Sequence, residues 1–300
     1  MEIAVIGGGS IGLLFSYYLG RKNRVTVYTR TEGQSEAIRA NGIHLLKKGC
    51  DFRAGVNAAP LEKWTGREEL TILAVKQYQL QSVLNSVAER MPGDASLMFL
   101  QNGMGHVKWL SELPVKNIYI GSVEHGAMAI GDHSVSHNGI GVTRVAVYKG
   151  EAGPIKHFTE MELVDFPVEM ADDFRSVLIG KLVVNAVINP LTAAFQVRNG
   201  ELLDNPFFYE IFKDLFSEVA MALRLEDKEK HFANIVSVCR KTSANSSSML
   251  KDIEAGRQTE IDGILGYILE EAEGQNIDTP IIRTYFRHIK GKEFQRGASI

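Results

Sequence analysis

The opening stretch MEIAVIGGGSIG, residues 1–12, decides the fold. Residues 2–6 are a short run of β-prone side chains, residues 12–19 have helical character, and RVTVY at residues 24–28 returns to strand composition. Strand, helix and strand within about thirty residues make the β-α-β unit of a mononucleotide-binding fold. Gly7, Gly9 and Gly12 stand at G-x-G-x-x-G spacing directly after the strand and at the start of the helix, the context that gives this otherwise weak motif its meaning. Gly7 permits the tight turn, Gly9 lets a pyrophosphate approach the backbone, and Gly12 allows the helix to pack closely on the sheet. The helix start offers free N–H groups and a positive dipole end to phosphates, so Gly7, Gly9, Ser10, Ile11 and Gly12 are the candidate dinucleotide contacts. The competing reading is a glycine-rich hairpin with no ligand.

The end of the second strand selects the form of the dinucleotide. NAD-binding folds place Asp or Glu there to accept hydrogen bonds from the ribose 2′-hydroxyl. This chain instead reads Tyr28-Thr29-Arg30-Thr31, a guanidinium flanked by hydroxyls, which suits a 2′-phosphate. The expected cofactor is NADPH, with Arg30 as its phosphate ligand; the alternative for Arg30 is a solvated surface arginine.

Further along, LTILAV (residues 70–75) and SLMFL (residues 96–100) are continuous apolar runs, as expected of parallel strands covered on both faces, with helical spacing at residues 80–90 between them. Residues 119–149 break into short β-prone pieces separated by Gly, read as an antiparallel extension of the same sheet, and VDFPVEM (residues 164–170) is the last strand-like piece. Helical periodicity then takes over, with helices expected at residues 174–195, 206–223, 226–240, 248–254, 260–273 and 280–290, and stops at Asn199-Gly200 and Gly274. The expected architecture is an α/β dinucleotide-binding (Rossmann) domain at residues 1–168 followed by an all-α domain at residues 169–300. With no long linker between them, a cleft at their junction is the expected place for chemistry.

A chain of 300 residues that is 45% hydrophobic and 23% charged is long enough for two such cores. Its net charge of −3, without a long basic run, gives no electrostatic footprint for nucleic acid. Cys50 and Cys239 have no partner at metal-ligand spacing and read as reduced cytoplasmic thiols, and His125, His133 and His137 lie among glycines without a metal-binding pattern. No metal is expected. The N-terminus lacks a basic n-region, and residues 182–195 carry Asn185, Asn189 and Pro190 and fall short of a span, so neither export nor membrane insertion is expected. The expected partner is a small molecule, bound by a monomer or homodimer.

Lys181, Asn185 and Asn189 recur every fourth residue in KLVVNAVINP and form one polar stripe on an otherwise apolar helix. A buried ammonium needs compensation, which a structural hydrogen bond or ion pair can supply, but three polar groups in register are better explained by a ligand. Pro190 removes one helical N–H bond and bends the helix. Lys181 can donate a proton to a carbonyl oxygen that becomes an alkoxide, and the asparagines can orient the substrate. Thr259-Glu260-Ile261-Asp262 has the form of a capping box, which puts Glu260 in a first helical turn where the dipole favours negative charge.

GGGSIG, AVKQYQ (residues 74–79), LQNGMG (residues 100–105), KLVVNAVINPLTA (residues 181–193) and SSSMLKDIEAGRQTEID (residues 246–262), in this order over nearly the whole chain, together resemble the ketopantoate reductase family. The resemblance implies an NADP-binding Rossmann domain joined to a helical domain like that of the 6-phosphogluconate dehydrogenase superfamily. It also implies reduction of ketopantoate to (R)-pantoate in pantothenate biosynthesis, a cytoplasmic step toward coenzyme A. By the same resemblance Lys181 is the general acid, Asn185 and Asn189 assist it and the substrate, and Glu260 binds the substrate hydroxyl and borders the cofactor. Asn245 and Ser248 would contact the substrate carboxylate, while Lys76, Gln79 and Asn102 would lie near the nicotinamide ribose, with Asn102 also reaching substrate. Asn245 and Ser248 are equally ordinary helix-start residues, and Lys76 and Asn102 could be plain turn residues. The alternatives are an NADP-dependent reductase of another 2-oxo acid and a non-catalytic NADPH-binding module.

Overall fold

The computed structural model describes residues 1–295 and 297. They divide into two units, the first made of Met1–Gln101 and Val107–Val177 and the second of Asn102–His106 and the described residues from Leu178 onward.

The first unit runs β1 (Glu2–Ile6), α1 (Ser10–Gly20), β2 (Arg24–Thr29), α2 (Glu32–Asn41), β3 (Ile43–Lys47), β4 (Cys50–Ala54), β5 (Asn57–Pro60), β6 (Leu70–Leu73) and α3 (Gln77–Val87). It continues with β7 (Ser96–Phe99), α4 (Val107–Leu110), β8 (Asn117–Val123), β9 (Gly126–Ala129), β10 (Ser134–Gly139), β11 (Thr143–Lys149), α5 (Gly153–Glu160) and β12 (Val168–Met170). The main sheet has the order β12-β11-β8-β7-β6-β1-β2-β5, and its strands from β8 to β5 are all parallel. Numbered among themselves along the chain, those parallel strands read 3-2-1-4-5-6 across the sheet, the dinucleotide-binding order with its switch point beside β1. At the far edge β11 runs antiparallel to β8, and β12 is parallel to β11.

The antiparallel pieces of residues 119–149 divide between two sheets. β8 and β11 belong to the main sheet, whereas β9 and β10 join β3 and β4 in a second sheet of order β4-β3-β10-β9. This small sheet explains the composition of α1, whose residues from Gly12 to Leu19 are all buried. The helix lies between two layers, touching β1 and β2 on one side and β3, β9 and β10 on the other. Leu13, Leu14, Tyr17 and Tyr18 therefore share one core with Ile3, Val27, Leu45 and Val135, and a helix covered on both sides is apolar all round.

The second unit takes α6 (Phe174–Phe195) from Leu178 onward, then α7 (Glu201–Asp204), α8 (Pro206–Ala222), α9 (Lys228–Lys241) and α10 (Ser248–Glu254). A π-helical segment, Asp262–Gly266, leads into α11 (Tyr267–Gly274) and then α12 (Pro280–Gln295). Helix α6 continues through Pro190 and ends at Phe195, as the expected bounds 174–195 have it, but its stop is Gln196 in a left-handed conformation (φ 59°) rather than Asn199-Gly200. Asn199 and Gly200 instead lead into α7. At 22 residues α6 is long and apolar enough to cross a bilayer, but 67% of its most apolar window is buried inside the protein, as in a core helix.

The helix ends of this unit are closed by side chains. Asn205 accepts from Phe207 N–H and Phe208 N–H at the start of α8, Asp227 accepts from Lys230 N–H at the start of α9, and Ser247 caps α10. The buried Glu218 carboxylate on α8 accepts from Ile281 N–H (3.1 Å) and Ile282 N–H (2.9 Å). It satisfies the first turn of α12 and ties the two helices together.

Candidate active site

The glycine loop sits where the carboxyl ends of β1, β2 and β6 meet. Gly7 N–H donates to Tyr28 O (2.9 Å) and Ala74 N–H to Ile6 O (2.9 Å), so the loop is tied to both neighbouring strands. Gly7 has φ 115°, open to glycine and strained for other residues. A Cβ on Gly12 would collide with the Gly7 carbonyl oxygen, whereas one on Gly9 would meet nothing within 4 Å. Gly12 is therefore a contact the fold needs, and Gly9 borders open space. Gly9 is also the N-cap of α1 and brings no side chain to the helix start, which leaves N–H groups of the first turn to an outside acceptor. A dinucleotide pyrophosphate fits this cradle. Ser10 lies in that first turn with its hydroxyl accepting from Ala129 N–H (2.9 Å), which leaves the hydroxyl proton to donate elsewhere.

Around this loop the structure brings several expected residues together and corrects one detail. Arg30 is exposed just past the end of β2. Thr29 does not offer its hydroxyl beside it: the side chain is 1% exposed, pairs with Ser35 Oγ (2.6 Å) and donates to Thr31 O (2.8 Å). Thr31 is the N-cap of α2 and accepts from Gln34 N–H. Gln34 was not read as a site residue, although Thr31-Glu32-Gly33-Gln34 has the S/T-x-x-E/Q form that could have drawn attention to it. Its amide spans from the cap to the loop, donating to Gly8 O (2.8 Å) and Asp132 O (3.0 Å). On β6's side Lys76 caps α3, its N–H donating to Gln79 Oε1 (3.3 Å), so these two expected residues form one turn. Gln101, also missed, donates to Leu73 O (2.9 Å) and Val75 O (3.0 Å) and binds the ends of β6 and β7 together.

In the second unit, the stripe on α6 forms as expected: Lys181 and Asn185 are half-buried, and Asn189 is 8% exposed, beside the buried Leu182, Val183, Ala186, Val187 and Ile188. Thr192, one turn further, donates to Ser247 Oγ (2.7 Å) and fixes the start of α10 against α6. Ser247, rather than Ser248, is the cap, accepting from Leu250 N–H (3.1 Å), and this leaves Ser248 exposed as the first helical residue. Asn245 is exposed too, and its carbonyl accepts from Asn199 N–H (3.0 Å).

Glu260 is 7% exposed and accepts from Asn102 Nδ2 at 2.8 Å. The segment Asn102–His106 belongs to this unit, with Met104 N–H donating to Gly263 O (3.2 Å). Gly103 (φ 79°) fits flat against that same carbonyl, where a Cβ would collide. Beside Glu260, burial pushes the fully enclosed His106 imidazole down to about 4, with the Glu260 carboxylate pulling the other way. An imidazole that stays neutral when folded but charges when unfolded gives stability that is complete above about pH 6.5 and is lost as pH falls toward 4, up to about 3 kcal/mol. Urea unfolding of His106→Gln at several pH values in that window should show a flatter stability profile than the parent; an equal slope would remove His106 from the account.

The expected capping box at Thr259 forms only in part. Thr259 Oγ1 accepts from Ile261 N–H (3.2 Å), but Asp262 pairs with Lys290 instead of returning to Thr259 N–H. Of the histidines, His137 bonds to Tyr18 OH (2.8 Å) and lies 3.3 Å from His125 Nδ1, inside the packing of the small sheet.

Residues 3–150 match the family described as "Ketopantoate reductase PanE/ApbA", and residues 173–293 match "Ketopantoate reductase PanE/ApbA C terminal". The chain belongs to the ketopantoate reductase family. It is 43% identical over 295 residues to the 2-dehydropantoate 2-reductase of Bacillus subtilis (strain 168), covering 98% of each chain. The Listeria innocua 2-dehydropantoate 2-reductase is 33% identical, over 99% of this chain and 98% of the relative. Among solved structures, the probable 2-dehydropantoate 2-reductase of Bacillus subtilis superposes with a TM-score of 0.89 at 41% identity, covering 97% of this chain and 100% of that one. A D-mandelate dehydrogenase solved with NADH and anilino(oxo)acetate has the same TM-score at 23% identity, a likeness of fold. The two family models together span both the α/β unit and the helical unit of this chain.

Proposed function

We propose that this chain reduces 2-dehydropantoate to (R)-pantoate with NADPH, a step of pantothenate biosynthesis in the cytoplasm, without a nucleic-acid or membrane partner and as a monomer or homodimer. The observation that carries the reading is the conjunction of a built pyrophosphate cradle with the Lys181-Asn185-Asn189 stripe, in a chain related end to end to 2-dehydropantoate 2-reductases. A division of labour between residues 1–168 for the cofactor and 169–300 for substrate and catalysis belongs to the same proposal.

When bound, the reduced nicotinamide supplies a hydride to the substrate's carbonyl carbon. Gly7, Gly9, Ser10, Ile11 and Gly12 hold the pyrophosphate, Arg30 the 2′-phosphate, and Lys76, Gln79 and Asn102 the nicotinamide ribose side. As the carbonyl π electrons move onto oxygen, Lys181 Nζ stabilises the growing negative charge and gives up one proton to it, leaving a neutral amine and an alcohol. Asn185 and Asn189 keep the lysine and the carbonyl in register. Glu260, already holding Asn102, accepts a hydrogen bond from the substrate's hydroxyl and borders the cofactor. Asn245 and Ser248, exposed at the entry to α10, receive the carboxylate.

The test is NADPH oxidation by the purified protein with ketopantoate beside a panel of unbranched 2-oxo acids. Preference for ketopantoate supports the assignment; equal rates across the panel make it a general 2-oxo acid reductase, and tight NADPH binding with no turnover makes it a binding module. For the cofactor, Arg30→Ala should weaken NADPH relative to NADH by about 1–3 kcal/mol, the worth of a charge-assisted hydrogen bond. Fluorescence titration with both nucleotides measures this, and an unchanged ratio would assign the phosphate to other residues.

A further inference from the structure

Glu293 lies on α12 at 1% exposure, and every part of its carboxylate is engaged. Its Oε1 accepts both from Thr259 N–H and from Thr259 Oγ–H, each at 2.7 Å. Its Oε2 is 3.1 Å from Lys290 Nζ, which also reaches Asp262 Oδ2 at 3.1 Å. Burial works against the charge on Lys290, but the Asp262 and Glu293 carboxylates outweigh it and raise its pKa. Burying a carboxylate is costly unless it is paired and fully hydrogen-bonded, so such an arrangement needs a reason beyond helix packing.

The residue it grips suggests one. Thr259 immediately precedes Glu260, and its hydroxyl passes the contact on to Ile261 N–H. Asp262, the second anchor of Lys290, opens the π-helical segment. Gly263 N–H and Ile264 N–H both donate to Glu260 O (3.1 and 3.2 Å), an i+3 and an i+4 bond, so Glu260 opens a turn in 3-10 and α register that passes directly into the π-helical segment. A π turn carries more residues than an α turn, and π segments recur at functional sites because they redirect side chains. A slip of one residue at this junction of α and π register would swing the side chains on one side of it by about 100° relative to those on the other. Glu293 and Lys290 hold the residues on either side of Glu260 and Ile261.

We infer that Glu293, assisted by Lys290, is a positioning residue for Glu260: its grip on Thr259 fixes the register of the turn that aims the Glu260 carboxylate. This rests on the role given to Glu260 above. Glu293 acts through Thr259 and the backbone and touches no reacting group.

The experiment compares Thr259→Val, Thr259→Ser and Glu293→Gln in the parent and in a Glu260→Ala background, measuring KM and kcat with ketopantoate and the melting temperature. Thr259→Val keeps the N–H bond to Glu293 but loses the hydroxyl, and should raise the ketopantoate KM about tenfold, while Thr259→Ser stays within about twofold of the parent. Glu293→Gln keeps an acceptor for Thr259 and loses the charge facing Lys290, so an intermediate rise of about threefold is expected. In the Glu260→Ala background each of these changes should shrink to less than about twofold, because the group being aimed is gone. Rises of equal size in both backgrounds would overturn the inference and leave Glu293 a purely structural residue, as would an unchanged KM in the parent background. If Glu260→Ala alone leaves KM and kcat untouched, the role of Glu260 fails and the inference with it, an outcome distinct from the first two. Should Thr259→Val melt too low to assay, Glu293→Gln carries the same comparison.

Discussion

Replacing Lys181 by alanine should lower kcat for ketopantoate by about 10²–10⁴-fold, the usual worth of a positioned general acid. Lys181 stands half-buried at the head of the α6 stripe, one turn or about 6 Å along the axis from Asn185 and two turns from Asn189. The loss should fall on kcat more than on KM, because the charge it stabilises exists only as the carbonyl oxygen becomes an alkoxide. Lys181→Arg should restore little, since a guanidinium keeps its positive charge but does not release its proton at any pH the protein survives. Added ethylamine should recover part of the alanine variant's rate by supplying the missing proton donor. Steady-state kinetics of these variants decide the matter, and a kcat for Lys181→Ala within about tenfold of the parent would take the general acid away from this residue.

The second large effect is expected in the glycine loop, where neighbouring glycines should behave differently. Gly12→Ala places a methyl group against the Gly7 carbonyl oxygen, and Gly7 has little room to yield because its N–H is bonded to Tyr28 O and the Ala74 backbone lies behind it. Relief requires α1 to lift from the sheet, so the variant should lose about 1–3 kcal/mol of stability and bind NADPH at least about 100-fold more weakly. Gly9→Ala meets no protein atom within 4 Å. It should melt like the parent and still bind NADPH poorly, because the methyl group occupies the space the pyrophosphate approaches. Melting curves and nucleotide titrations of the pair test this. Equal melting losses for both, or near-parent NADPH affinity in Gly12→Ala, would contradict the assigned roles.

What could be read from sequence follows from how local each signal is. The unit β1-α1-β2 was legible because its glycines, its apolar strand and its helix are contiguous, and α6 because its polar stripe has the period of one helix. Partner choice between strands is not local. Alternation in β9 and β10 marks them as strands but cannot say that they leave the main sheet for β3 and β4, and the pair β3 and β4 itself went unread. The same limit applies to single side chains. Thr259 was recognisable as a cap, but its carboxylate partner is Glu293, 34 residues away, rather than the expected Asp262. Thr29 and Arg30 looked alike as polar residues at a strand end, and only the fold shows that Thr29 turns inward to Ser35 while Arg30 stays exposed. Gln34 carried a readable capping pattern, yet its amide reaches Gly8 and Asp132, which no pattern within α2 could announce.

The placement of Asn102–His106 in the helical unit sets a timetable for synthesis. The amide of Asn102 and the carboxylate of Glu260 are 158 residues apart in the chain. At translation rates of about 5–20 residues per second the ribosome needs roughly 8–30 s to make the later partner after the earlier one has been added. The parallel strands β1, β2, β5, β6 and β7 precede this segment and β8 follows soon after, so the sheet has the strands it needs long before Glu260 exists. Gly103 and Met104, whose partner is the Gly263 carbonyl, must wait through about the same interval before that contact can form. Release of the helical unit as a separate piece, by a single cut anywhere after His106, would leave five of its residues on the other fragment.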